Sequence, residues 1–226
     1  MRFYLKNIVT VFVSLSIIFV STSKGDTQEQ KYKLNGNYQK VGEQTDNRHD
    51  KNQTTKVEIT EFFLYSCPPC FELDPKLNKW VQDNKERVVF NRIPAVVSSS
   101  WVPLAKAYYV AEKLGILKKT HTALFDAIHK DKRIFLNEYS LSGFYEKYGV
   151  DKYQFINLYN SQEIIDKVSD ARLLTVKYNL RGVPAVVMAK RYKTAPFFNR
   201  DQEQMLDVMS FLLKKIIGEN LRSIAK

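Results

Sequence analysis

Residues 57–70 read VEITEFFLYSCPPC, and this stretch decides the fold. The part that ends at Tyr65 is rich in β-branched and aromatic residues, which predicts a strand. Cys67 and Cys70, the only cysteines of the chain, follow at once, and a segment with mixed helical patterning comes after them. A strand, a Cys-x-x-Cys motif and a helix in this order predict a dithiol/disulfide redox site.

Cysteine usage supports a reactive pair. A small secreted protein held together by disulfides would carry more than two cysteines. A disulfide between Cys67 and Cys70 would also restrain the unfolded chain very little, because it closes a very short loop. A pair of inert core cysteines is the alternative, but it would need no such spacing.

Length and composition indicate a globular protein. The chain has 226 residues, of which 44% are hydrophobic, and its formal net charge is +11. Lysine and arginine are spread along the chain without the clustered stripe that binds nucleic acid, so we expect no nucleic-acid partner. We attribute the charge to genome composition; the alternative is a role in steering acidic partners.

The first 23 residues have the features of a secretory signal peptide. Arg2 and Lys6 form a basic start, residues 8–20 are apolar, and residues 21–23 are small. An uncleaved anchor is the alternative, but the apolar run is shorter than the roughly 20 residues that span a bilayer. We therefore expect export to an oxidising compartment, where disulfide chemistry is sustained.

The remaining patterns predict an α/β core with a helical block inside it. Strands are expected at residues 38–41, 57–64, 87–93, 185–189 and 192–194. The connection Lys190-Arg191 lacks the Gly or Asn that a tight hairpin turn prefers. A final amphipathic helix is expected over residues 202–217, ending at Gly218.

Helical spacing dominates from residue 98 onward. Helices are expected at residues 104–114, 117–129, 142–148 and 151–159, and through 164–176. Gly115 and Gly149 are expected to end the first and third of them. Asn160 is expected to cap the last, with Glu163 completing a capping box.

This layout resembles the DsbA family over about residues 57–217. Four features carry the resemblance: Glu61-Phe62-Phe63, the dithiol, the helical pair at residues 104–129, and Arg181-Gly182-Val183-Pro184-Ala185, which is similar to the family's cis-proline loop. It implies a thioredoxin fold, a central mixed sheet flanked by helices, with an inserted helical domain. The chain is thereby divided into a signal peptide (1–23), the thioredoxin-like domain (24–97 and 172–226) and the helical insertion (98–171).

Cys67 is the candidate nucleophile, because a helix N-terminus favours the thiolate. Cys70 would be its buried, resolving partner. The family's best-known dipeptide is Pro-His, whereas Pro68 is followed here by Pro69, which lacks both the imidazole and a backbone N–H. We therefore expect a pKa of Cys67 that is below that of a free thiol but less depressed than with histidine.

Glu61 lies six residues before Cys67 in an apolar strand and, on alternation, shares a face with Ile59 and Phe63. A buried carboxyl there would have a raised pKa and could exchange a proton with Cys70. The resemblance implies that Arg92 is its basic partner. The alternative is an ordinary buried ion pair.

The resemblance implies that Pro184 is a cis-proline facing the dithiol, and that the Val183 backbone pairs with an extended substrate. The histidines His49, His121 and His129 are scattered along the chain and give no zinc-site spacing. The glycines form no phosphate-binding loop, so we expect neither a metal nor a cofactor.

The resemblance implies a monomeric periplasmic thiol–disulfide oxidoreductase. It would introduce disulfides into unfolded, cysteine-containing secreted proteins and be reoxidised by a quinone-linked membrane oxidase similar to DsbB. Two alternatives remain: a reductase or isomerase on the same fold, and a non-catalytic chaperone that binds polypeptides.

Overall fold

The computed structural model describes residues 31–41 and 56–224. The predicted signal peptide and His49 lie outside these ranges. The strands are β1 (Gln39–Lys40), β2 (Val57–Phe63), β3 (Val88–Pro94), β4 (Ala185–Met188) and β5 (Tyr192–Thr194). The helices are α1 (Pro68–Asp83), α2 (Val102–Lys113), α3 (Leu117–His129), α4 (Glu138–Tyr145), α5 (Lys152–Tyr159), α6 (Gln162–Lys177) and α7 (Gln202–Ile224).

The strands form one mixed sheet in the order β1-β5-β4-β2-β3. Strand β2 pairs in parallel with β3, and this register places Glu61 opposite Arg92. On its other edge, β2 pairs antiparallel with β4. Every residue of β2 except Glu58 is buried, because the strand lies inside the sheet and both of its faces are covered.

Alternation along β2 separates the two faces of the sheet. Val57 and Ile59 pack in one apolar cluster with residues of α1 and α7, including Leu73 and Met209. Phe62 faces the opposite cluster, which contains Tyr178 at the end of α6. Burial of apolar area on both faces is the main contribution to the stability of this core.

The helices α2–α6 lie between β3 and β4 in the chain, so the predicted helical insertion is present. The largest fully buried side chains of this block are mostly aromatic and leucine, among them Leu124, Phe125, Leu141, Tyr145 and Phe155. Their cluster also contains Tyr65 and Cys70. The block therefore packs against the end of β2 that leads into the dithiol. The boundary predicted at residue 171 falls within α6, and the division into domains stays a prediction.

Three predicted helix ends are wrong. Helix α4 begins at Glu138 rather than Ser142, because Asn137 caps it by accepting from the Ser140 N–H. Ser161, not Asn160, caps α6 through the N–H of Ile164. Helix α7 does not end at Gly218 but continues to Ile224.

The hairpin between β4 and β5 turns without glycine or asparagine. Ala189 and Lys190 take φ values of 51° and 55°, the left-handed region that glycine occupies most easily. The Ala189 N–H donates to the Glu58 carbonyl at 2.7 Å, which ties the turn to β2. Tertiary contact therefore supports a turn that the local sequence does not favour.

Within residues 31–41 and 56–224, no helix is long and apolar enough to cross a membrane.

Candidate active site

The dithiol lies where β2 passes into α1. Cys67 is the residue before the first helical turn, and Pro68 and Pro69 occupy the first two helical positions. The N–H groups of Cys70 and Phe71 both donate to the Cys67 carbonyl at 3.1 Å. Cys67 is partly exposed, whereas Cys70 is fully buried, and both thiols are free.

The two thiols differ in acidity. A hydrogen bond from Cys70 lowers the pKa of Cys67, although partial burial opposes the effect. Burial raises the pKa of Cys70 far above that of an ordinary thiol, and the hydrogen bond to Cys67 adds to the shift. Because the thiolate is the nucleophile, this difference assigns attack to the accessible sulfur of Cys67.

The loop before β4 faces the dithiol. The Val183–Pro184 peptide bond is cis, as the resemblance implied. The Cys67 Sγ donates to the Val183 carbonyl at 3.4 Å. A backbone carbonyl thus lies within contact of the exposed sulfur, just before the start of the interior strand β4.

Glu61 lies on β2 on the α1 side of the sheet and is 1% exposed. Arg92 Nε donates to Glu61 Oε2 at 2.8 Å, so the predicted basic partner is in contact. Burial raises the pKa of Glu61 to about 7 even though Arg92 opposes the shift. A negative charge on Glu61 would add to the raised pKa of Cys70, after burial and the Cys67 hydrogen bond.

The sequence analysis missed Asp74, a buried carboxylate on α1. Arg92 Nη2 donates to its Oδ1 at 2.9 Å, and Asn78 Nδ2 donates to its Oδ2 at 3.1 Å. Burial acts to raise the pKa of Asp74, but the hydrogen bonds and positive charge around it, His121 first, outweigh burial and lower it. One guanidinium therefore joins two carboxylates beneath the dithiol.

The sequence analysis gave His121 and His129 no role, but the structure brings both of them onto Tyr65. His121 Nδ1 is 2.8 Å from the Tyr65 hydroxyl, and His129 Nε2 is 2.7 Å from the Tyr65 carbonyl. His129 also stacks on Phe71, with ring centroids 4.7 Å apart. The sequence could have indicated that His121 and His129 lie together, because two residues eight apart fall on one face of a helix.

The start of α7 also reaches the site. Gln202 Nε2 donates to the Pro69 carbonyl at 2.9 Å, which holds the dipeptide between the cysteines. Among the described residues, no group of three or more His, Cys, Asp and Glu side chains is arranged to hold a metal ion.

A thioredoxin-like sheet, a Cys-x-x-Cys at a helix N-terminus and a facing cis-proline define the class of dithiol–disulfide oxidoreductases. A family described as "DSBA-like thioredoxin domain" matches residues 84–210. The chain belongs to this DsbA family of thiol:disulfide interchange proteins and is a protein disulfide oxidoreductase, which acts on substrate proteins.

Relatives and solved structures support the assignment. The thiol:disulfide interchange protein DsbA of Burkholderia cepacia is 35% identical over 74% of this chain and 78% of the relative. The corresponding protein of Azotobacter vinelandii is 31% identical over 72% and 76%. The crystal structure of Pseudomonas aeruginosa DsbA superposes with a TM-score of 0.75 at 26% identity, covering 84% of this chain and 97% of that one.

Proposed function

We propose that this oxidoreductase works as an oxidase, introducing disulfides into exported proteins through Cys67 and Cys70. The observation that carries the proposal is the difference between an accessible thiol with a lowered pKa and a buried one with a raised pKa. Stabilising the Cys67 thiolate stabilises the reduced enzyme, and its disulfide is then readily passed to a substrate.

The first step is attack by a substrate thiolate on the Cys67 sulfur of the enzyme disulfide. A substrate–Cys67 bond forms, the Cys67–Cys70 bond breaks, and the electron pair leaves on Cys70. That sulfur is buried and strongly basic, so it needs a proton. Protonated Glu61, with its pKa raised by burial to about 7, is the proposed donor.

The second step releases the product. A second substrate thiolate attacks the substrate sulfur of the mixed disulfide, and Cys67 leaves as the stabilised thiolate. The substrate dithiol has then lost two electrons and two protons; one proton restores Glu61, the other passes to solvent, and the enzyme is left with the Cys67 thiolate and the Cys70 thiol. A quinone-linked membrane oxidase similar to DsbB would take these electrons and restore the enzyme disulfide.

Substrate placement is assigned to the cis-proline loop. An extended, unfolded segment would pair with the Val183 backbone, beside the Cys67 sulfur that lies 3.4 Å from the Val183 carbonyl. Pro184 would hold this carbonyl towards the dithiol. We further propose that the enzyme acts as a monomer in the periplasm, to which residues 1–23 would direct it.

The proton-transfer step is tested by Glu61→Gln, which keeps a side chain of similar size without the carboxyl proton. We expect oxidation of a reduced model peptide to slow by roughly 10-fold or more, with loss of the pH dependence near 7. Glu58→Gln is the matched control, because Glu58 lies on the same strand but pairs with Lys190 away from the dithiol. Equal rates for Glu61→Gln and the unmodified enzyme would mean that Glu61 only forms a structural ion pair with Arg92.

The direction of the reaction is tested by the equilibrium of the dithiol with glutathione. A potential close to that of thioredoxin would favour a reductase, whereas a more oxidising value supports the oxidase. Cys67→Ser should abolish disulfide transfer altogether. If Cys67→Ser kept its full effect on substrate folding, the protein would act by binding polypeptides rather than by disulfide exchange.

A further inference from the structure

The helical block supplies a histidine to the underside of the redox site. His121 on α3 lies between the Tyr65 hydroxyl, 2.8 Å from Nδ1, and Asp74 Oδ1, 3.3 Å from Nε2. Burial raises the pKa of Tyr65 well above its usual value, so the phenol keeps its proton and donates it to Nδ1. The ring proton then lies on Nε2, which faces the Asp74 carboxylate at 3.3 Å without the alignment of a hydrogen bond.

The two carboxylates that share Arg92 are held unequally. Glu61 receives Arg92 Nε at 2.8 Å. Asp74 receives Arg92 Nη2, Asn78 Nδ2 and the Thr122 hydroxyl, and His121 lies beside it as well. Two buried carboxylates with one cation between them favour protonation of the less supported one. The difference in donors therefore makes Glu61, not Asp74, the group that carries a proton near neutral pH.

We propose that His121 is a positioning residue for the redox site: by holding Asp74, it keeps the Arg92 guanidinium on Glu61 and thereby sets the proton affinity of Glu61. The inference rests on the proposed function, in which Glu61 supplies the proton to Cys70. It also gives the helical insertion a part in the chemistry, since α3 brings this side chain beneath the dithiol.

The charged and titratable groups around His121 come from four other elements. Tyr65 follows β2, Asp74 lies on α1, Arg92 on β3 and Tyr108 on α2; Lys118, on α3 itself, lines the same cavity of about 260 Å³ beside the imidazole. Burial lowers the pKa of His121, so the imidazole is neutral at pH 7, and its Nε2–H presents the positive end of a dipole to Asp74.

Removing that N–H dipole from beside Asp74 has a defined direction of effect. Asp74 would draw the guanidinium more strongly, because it would lose one of the groups that stabilise its charge. The Arg92 guanidinium would then stabilise the Glu61 carboxylate less, while the negative charge of Asp74 would still oppose ionisation of Glu61. Its proton should be held more tightly, and its pKa should rise.

The test is the pKa of Glu61 in the full chain with His121→Leu, read from the carbon-13 shift of its carboxyl group. We expect an increase of at least about 0.5 pH unit, with the pH profile of peptide oxidation moving upward by the same amount. His129→Leu is the matched control: it removes an imidazole from the same helix that contacts the Tyr65 carbonyl and stacks on Phe71 but contacts no carboxylate. The Glu61 pKa should not change in that control.

His121→Gln can restore a donor towards Asp74 and should return the Glu61 pKa most of the way. If His121→Leu does not fold, Tyr65→Phe, which removes the hydroxyl that holds His121 Nδ1, gives the same readout with a smaller upward shift. An unchanged Glu61 pKa in a folded His121→Leu protein overturns the inference. A raised Glu61 pKa with an unchanged exchange rate would support the role of His121 and contradict proton transfer by Glu61.

Discussion

Pro69 is the residue that most separates this dithiol from a Pro-His one. Pro68 and Pro69 fill the first two positions of α1, so neither offers an N–H to the Cys67 thiolate. The Cys70 N–H, the next donor, already contacts the Cys67 carbonyl at 3.1 Å. The helix N-terminus therefore has fewer free donors than usual with which to stabilise the thiolate.

Pro69→His should make the enzyme a stronger oxidant. The substitution adds an imidazole and a backbone N–H next to the thiolate, and both favour the charged form of Cys67. We expect the Cys67 pKa to fall by about 1 pH unit or more, measured by thiolate absorbance across a pH titration. The glutathione equilibrium should shift towards the reduced enzyme in parallel.

Pro69→Ala is the control that separates the two effects, since it restores the N–H without the imidazole. It should lower the Cys67 pKa by less than Pro69→His does. If neither variant changed this pKa, the thiolate would depend on the Cys70 hydrogen bond alone, and the argument from the missing donors would fail.

Individual site residues differ in how far the sequence could predict them. Glu61 was accessible from strand alternation, because the same pattern that buries Ile59 and Phe63 buries it too. Asp74 and His121 were not, since their proximity is created by packing α3 against α1. Helical spacing relates His121 to His129 but carries no information about Tyr65.

At the scale of elements, α7 is longer than its sequence predicts. Gly218 is a residue that ends many helices, but the last part of α7 is held from outside. Arg191 donates to Glu219 at 3.1 Å and to Asn220 at 2.9 Å, and the Tyr192 hydroxyl donates to Glu219 at 3.0 Å. Contacts from the β4–β5 hairpin thus stabilise the helix beyond Gly218. No local sequence pattern could have predicted these contacts.

Gly218→Ala should therefore stabilise the protein. Gly218 lies inside a helix, and an added Cβ would meet no atom within 4 Å. Alanine in a helix interior is favoured over glycine by roughly 0.5–1 kcal/mol, and that gain is expected in urea unfolding.

Gly149→Ala is the opposite case and serves as its control. Gly149 has a φ of 84°, where a side chain is strained, so alanine there should cost roughly 1 kcal/mol or more. Loss of stability in Gly218→Ala as well would mean that α7 ends at Gly218 in solution.

For the whole molecule, the order of strands and helices was largely predictable. Sequence patterns gave all five strands and the helical block, because the main elements each bury a face or stripe against the core. The mixed sheet and the cis-proline opposite the dithiol came only with the family resemblance, and the strand order only with the structure. Neither sequence patterns nor the resemblance predicted how the helical block contacts the site. The contact is made by His121 and His129, which both bond to Tyr65.

The raised pKa of Glu61 makes the stability of the whole molecule depend on pH. Between the ordinary value of 4.5 and the folded value of about 7, the folded state keeps a proton that the unfolded state has lost. The free energy of unfolding must then fall as the pH rises through this interval. The lowered pKa of Asp74 acts in the opposite direction, but at more acid pH, so the two effects separate.

Glu61→Gln removes this dependence, because glutamine does not titrate. We expect the stability of the unmodified protein, measured relative to Glu61→Gln, to fall by about 2–3 kcal/mol between pH 5 and pH 8. Urea unfolding of both proteins in the reduced form measures it, and thiol titration, common to both, cancels in the difference. A difference that stayed constant, or that grew in favour of glutamate at high pH, would mean that Glu61 is already ionised in the folded state. The carboxyl would then have no proton to give to Cys70 at neutral pH, and the energetic basis of the proposed transfer would be lost with it.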